Sequence, residues 1–134
     1  RARLDPQALM AEAVRARREA YAPYSRFPVG AALLARDGRV IRGSNVENAS
    51  YGMSVCAERT AVWKAVSEGI REFEAIAITA PEGAGAPPCG ACRQILQEFA
   101  PHMTVLWRDG RGRIRHSRLS ELLPQAFVLK TEGR

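Results

Sequence analysis

Two stretches far apart in this chain, Cys56-Ala57-Glu58 and Pro88-Cys89-Gly90-Ala91-Cys92, each stand just ahead of an amphipathic run. Together they hold all three cysteines of the sequence. One metal ion claimed by all three sulfurs would force the starts of two helices to a single point. A catalytic zinc keeps three protein ligands and leaves one position for water, whereas a structural zinc is normally closed by four. Three thiols with a carboxylate close by suit the open kind of site.

Other readings of the cysteines fit less well. An odd number sits badly with a self-contained disulfide framework, and Arg1 to Ala20 is too charged to hold the apolar segment of a signal peptide. A reducing, cytoplasmic setting is therefore expected. A CxxC pair also serves redox chemistry, but that motif belongs to a thioredoxin-like βαβ pattern and needs no third cysteine.

At 134 residues and 46% hydrophobic content, residues 1–134 are expected to form one domain. A chain of this size buries roughly two-thirds of its unfolded surface, enough for a core without disulfides. No apolar run reaches the length of about 18 residues that a membrane helix needs. The net charge of +6 raises the question of nucleic acid. The arginines are scattered along the chain, however, and no RNP-like aromatic motif accompanies them, so a nucleic-acid partner is not expected.

Asp5-Pro6 offers a helix cap followed by proline at the first helical position, and Leu9, Ala13, Ala16 and Ala20 continue at helical spacing to about Tyr21. Val29 to Ala35 reads as a buried strand, turned by Asp37-Gly38 into a second strand through Val40 and Ile41. Cys56 to Val66 reads as a helix ending near Gly69, and Phe73 to Thr79 as the next strand. The Pro- and Gly-rich residues 81–88 form a loop that delivers Cys89, and a helix follows over Ala91 to Phe99. Met103 to Trp107 and Ile114 to His116 are further strands about a turn at Asp109-Gly110, and Ser120 is placed to cap a short last helix. The alternation predicts an α/β fold, a three-layer α/β/α sandwich around a mixed sheet of about five strands.

Helical geometry constrains the site. Residues three apart are neighbours, so Cys89 and Cys92 can clasp one ion at the start of a helix, whereas Cys56 and Glu58 share a side only where the helix has not yet begun. Both cysteine groups are therefore placed at helix amino termini, where free N–H groups and the positive dipole end favour thiolates. Zinc with three thiolates carries excess negative charge, which would raise the pKa of a bound water. Arg59 and Arg93, each directly after a site residue, are the candidates for compensation. Glu58 is either a fourth ligand or a free proton carrier, and His102 and His116 are conceivable fourth ligands at untypical spacings.

Four segments carry a family resemblance: Tyr24 to Ala32, Gly43 to Tyr51, Cys56 to Ala61 and Pro88 to Gln94. In order and over nearly the whole chain, they resemble the small homotetrameric cytidine deaminases. The CxE followed by PCxxC marks the wider zinc-deaminase superfamily, and the Asn45-x-Glu47 segment resembles the part that narrows it to free nucleosides. The resemblance implies hydrolytic deamination of cytidine and 2'-deoxycytidine, with one zinc per subunit held by Cys56, Cys89 and Cys92 and with Glu58 as the proton shuttle. It further implies that Phe27 lies against the pyrimidine, Asn45 and Glu47 bind the ribose 3'-hydroxyl, and the Ala57 backbone contacts the base. Ala49, Tyr51 and Phe127 would reach a neighbouring subunit's site in a homotetramer. Ser44 stands where many relatives have cysteine, and Pro87 replaces a commonly small polar residue. Rival readings are a blasticidin S-type or nucleic-acid deaminase, and a zinc-stabilised binding module without catalysis.

Overall fold

Every residue of the strand Gly30–Ala35 (β1) is buried, so both faces of the sheet around it must be covered. The computed structural model describes residues 3–81, 84, 85 and 87–129. In it β1 pairs antiparallel with Val40–Ser44 (β2) on one side and with Phe73–Thr79 (β3) on the other. Thr104–Arg108 (β4) runs parallel to β3, and Ile114–Arg118 (β5) closes the sheet antiparallel to β4. The strand order is β2-β1-β3-β4-β5, the mixed five-stranded sheet that the alternation predicts.

Side-chain alternation sorts the helices onto the two faces. Ala32, Leu34, Ala75, Ala77 and Leu106 pack against Leu9, Met10 and Ala13 of the first helix, Pro6–Arg17 (α1). Ala31, Leu33, Ile41, Ile76, Ile78 and Val105 face the other way, toward Ala57–Ser67 (α2) and Gly90–Phe99 (α3). The short helix Leu119–Leu122 (α4) completes that layer with the fully buried Leu119. The parallel β3–α3–β4 unit needs a crossover, and α3 is that crossover.

Two glycines set how closely the helices sit. A Cβ on Gly30 would collide with the carbonyl of Ala13 in α1, and one on Gly43 would come within 2.5 Å of the Ala61 amide nitrogen and 2.6 Å of the Ala57 carbonyl oxygen in α2. Gly43 therefore lets the first two turns of α2 rest on the β2 backbone, and those turns carry the site.

Two boundaries differ from the sequence expectation. α1 stops at Arg17 rather than near Tyr21, because Tyr21 gives its N–H to the Asn45 carbonyl at 2.9 Å and takes the Glu47 N–H at 2.8 Å. Ser120 lies inside α4 rather than capping it, and the cap is Arg118, whose N–H is taken by Glu121 Oε1 at 3.2 Å. The cap at Asp5 is as expected, its carboxylate accepting the Ala8 N–H at 3.2 Å. Of the 81–88 loop, residues 82, 83 and 86 lie outside the described residues. No helix of the described residues is long and apolar enough to cross a membrane.

Candidate active site

Cys56 is the N-cap of α2 and Cys89 the N-cap of α3, both with extended backbone (φ −71°, ψ 154° and φ −68°, ψ 168°). That non-helical backbone at Cys56 is what lets it and Glu58, two residues on, turn to the same side. Cys92 sits in the first turn of α3 and is fully buried. Neither N-cap cysteine uses its side chain to cap its own helix. The three Sγ atoms lie within 4.8 Å of one another, with Cys89 and Cys92 3.3 Å apart. Tetrahedral zinc at about 2.3 Å from each sulfur needs separations of about 3.8 Å, so the donor set fits zinc with only small side-chain adjustment. Two helix amino termini converge there, and their free N–H groups and dipoles favour the thiolate form that a metal requires.

Glu58 is not part of this metal-ligand group, and neither histidine is. His102 lines a separate cavity with Arg36, Glu72 and Thr104, and His116 is exposed on β5. Among the described residues the group therefore has three ligands, with a carboxylate at its flank.

The charges around the sulfurs are unequal. A hydrogen bond from Cys92 and the guanidinium of Arg59, Nη2 at 3.4 Å, hold the Cys56 thiol down at about 5. The Cys92 thiol is pushed up by that same hydrogen bond and by burial. Glu58 is only 6% exposed, and burial pushes its carboxyl above the ordinary carboxylate range, with the Cys56 thiolate adding to the effect. Arg59 thus meets the Cys56 sulfur directly. Arg93 is placed differently: its Nε donates to the Pro88 carbonyl at 2.7 Å and its Nη1 to the Leu122 carbonyl at 2.8 Å. Those two bonds tie the residue before Cys89 to α4.

A cavity of about 450 Å³ opens beside the sulfurs. The buried Ala57 and Glu58 with half-buried Cys56 form its floor, Val29 and Ile78 an apolar wall, and Phe27, Asn45 and Glu47 its rim with Ser25, Pro87 and the exposed Cys89. Its size falls in the range of about 300–1,000 Å³ typical of small-molecule sites. It lies beside the carboxyl end of β3, from which the loop to α3 departs.

The sequence of residues 4–107 matches the family model described as the cytidine and deoxycytidylate deaminase zinc-binding region. The chain belongs to that family. It is 55% identical over 126 residues to the cytidine deaminase of Halalkalibacterium halodurans, covering 93% of this chain and 96% of the relative. The crystal structure of cytidine deaminase from Burkholderia pseudomallei superposes with a TM-score of 0.87 at 47% identity, over 92% of this chain and all of that one. That of Mycobacterium tuberculosis gives 0.83 at 43% identity, over 95% and 100%. The chain is thus a zinc-dependent deaminase of this family, and its three-sulfur group is positioned to hold a metal ion.

In this family member the rim residues are themselves held in place. Asn45 Oδ1 accepts the Val29 N–H at 2.8 Å and its Nδ2 donates to the Phe27 carbonyl at 2.9 Å. Glu47 Oε1 accepts the N–H groups of Tyr24 and Ser25 at 3.0 and 3.1 Å, and its Oε2 takes the Ser25 hydroxyl. The Ser25 hydroxyl leads in holding the Glu47 carboxyl below its ordinary range. Ser25 also accepts the Phe27 N–H at 3.1 Å, so one short loop, bracketed by Pro23 and Pro28, carries Phe27 to the rim. Ser25 has no role assigned from sequence, although it lies in the Tyr24 to Ala32 segment that carries the family resemblance. Ala49, Tyr51 and Phe127 stand apart from the cavity: all three are exposed, Tyr51 at 75% and Phe127 at 71%. Tyr51 meets Tyr24 edge-on at 6.0 Å, and the Phe127 carbonyl accepts Gln94 Nε2 at 2.9 Å.

Proposed function

We propose that this enzyme hydrolyses cytidine and 2'-deoxycytidine to uridine and 2'-deoxyuridine, consuming one water and releasing one ammonia. The observation that carries the reading is Glu58, a buried carboxyl with a raised pKa, standing beside three sulfurs on the floor of a nucleoside-sized cavity. A zinc ion held by Cys56, Cys89 and Cys92 supplies Lewis-acid chemistry that makes water nucleophilic near neutral pH. Glu58 takes the proton of the attacking water, delivers it to the ring N3, and then assists protonation of the departing amine. One group can serve as base and then as acid when its pKa lies near the working pH, which burial favours here.

Phe27, 40% exposed at the rim, offers its ring to the pyrimidine. Ala57, at the first position of α2, has a backbone N–H with no intrahelical partner and can donate it to the base. Asn45 and Glu47 keep spare hydrogen-bonding capacity after holding the loop, and an amide with a carboxylate suits a hydroxyl that both donates and accepts. Arg59 offsets the charge of the thiolates, with Arg93 holding the Cys89 turn.

The working form in this reading is a homotetramer with composite sites. Tyr51, Met53, Phe127, Val128 and Leu129 are 65–75% exposed, an amount of bare apolar surface that a partner subunit would cover. Ala49, Tyr51 and Phe127 would then reach the neighbour's cavity. The test is the fall in ultraviolet absorbance of cytidine with the purified protein. Turnover of blasticidin S or an oligonucleotide with cytidine untouched would contradict the reading.

A further inference from the structure

Arg59 and Trp63 are four residues apart on α2 and share one face of it. The Arg59 guanidinium carbon lies 6.0 Å from the Trp63 ring centroid, while Nη2 reaches the Cys56 sulfur at 3.4 Å. Among the described residues, Arg59 Nε is buried without a hydrogen-bond partner. A flexible arginine held by one weak N–H to sulfur contact loses much rotamer freedom in staying there. A ring face attracts the cation electrostatically and takes up none of its N–H groups, leaving them free for sulfur. Trp63 is the only aromatic residue of α2, and it is half exposed, an unusual place for an indole whose sole use is core packing.

We infer that Trp63 is a positioning residue of the metal centre, its indole face holding the Arg59 guanidinium against the Cys56 sulfur so that retention of the metal depends on the ring. The inference rests on the zinc reading of the three sulfurs. With the ring gone, Arg59 swings between sulfur and solvent, the thiolate charge is less well offset, and the Cys56 bond to the metal opens more often.

Zinc release from the loaded enzyme to excess chromophoric chelator tests this. Trp63→Leu should release zinc about 2- to 5-fold faster than the parent, the scale of an exposed cation–π contact. Trp63→Phe should restore most of the parent rate. In an Arg59→Gln background the Trp63→Leu change should add nothing. Equal rates for Trp63→Leu and the parent, or the same acceleration with and without Arg59, would overturn the role. The cobalt-substituted parent gives a second readout that does not need the Arg59 variant. Its sulfur-to-metal charge-transfer band should move in Trp63→Leu and return in Trp63→Phe, and an unmoved band contradicts the inference. A parent that binds no zinc overturns the metal reading itself, whereas a zinc-holding parent indifferent to Trp63 overturns the positioning role alone.

Discussion

Glu58 and Glu47 are both carboxylates near one cavity, and their surroundings push them in opposite directions. Burial raises Glu58, while the hydroxyl and N–H donors of Tyr24 and Ser25 lower Glu47. The first is fitted to move protons and the second to stay an anion. Glu58→Gln keeps the shape of the floor and the three sulfurs, so zinc content should be unchanged while kcat falls by about 10²–10⁴-fold, the usual worth of a positioned acid–base group. Near-parental turnover in that variant would remove Glu58 from the chemistry. Glu47→Gln places an amide donor where three donors already point, which loosens the loop that carries Phe27 to the rim. KM for cytidine should therefore rise about tenfold. Because the folded-state pKa of Glu47 is depressed, its contribution to stability is full above the ordinary carboxylate value and is lost as pH falls through the lowered one. The gap in thermal midpoint between parent and Glu47→Gln should accordingly narrow in acid, as melts across pH would record.

Elements bring those residues together, and most of this arrangement could be read from the sequence. The spacing of Cys56, Glu58, Cys89 and Cys92 requires two helix starts at one point, and α2 and α3 begin there. Val29 to Ala35 reads as a buried strand and the alternation predicts helices on both faces of the sheet, and every residue of β1 is buried between such layers. What escaped were features decided by partners distant in the chain. Ala20 and Tyr21 continue the helical spacing of α1, yet Tyr21 leaves the helix because Asn45 and Glu47 offer it two backbone hydrogen bonds. The Ser25–Glu47 bond and the Arg59–Trp63 contact likewise appear only once the chain is folded. Gly43 is a single small residue in an edge strand, and its need became visible only with α2 lying on it. Gly43→Ala should push α2 from the sheet and cost about 1–3 kcal/mol as an overpacked contact. Since Cys56 and Glu58 ride on that end of α2, zinc occupancy should fall along with stability. A variant as stable and as zinc-replete as the parent would show that the helix has room to move.

At the scale of the whole molecule, the cavity has a floor, a wall and a rim, while Tyr51 and Phe127 stay on the outer surface of the single chain. A composite site assembled between subunits makes sense of that surface. Light scattering should report four times the 14.7 kDa chain mass. Tyr51→Asp, which puts a charge into the exposed apolar patch that the proposed assembly would cover, should lower both the assembled fraction and the activity per subunit. A fully active monomer would contradict the composite site. A metal held by the three sulfurs is tested most directly by titrating zinc into stripped protein while following cytidine absorbance. Turnover should be nil at zero zinc, rise linearly, and reach a plateau at one ion per chain. Full turnover by the metal-free protein, or a stripped protein that regains zinc without regaining activity, would contradict it.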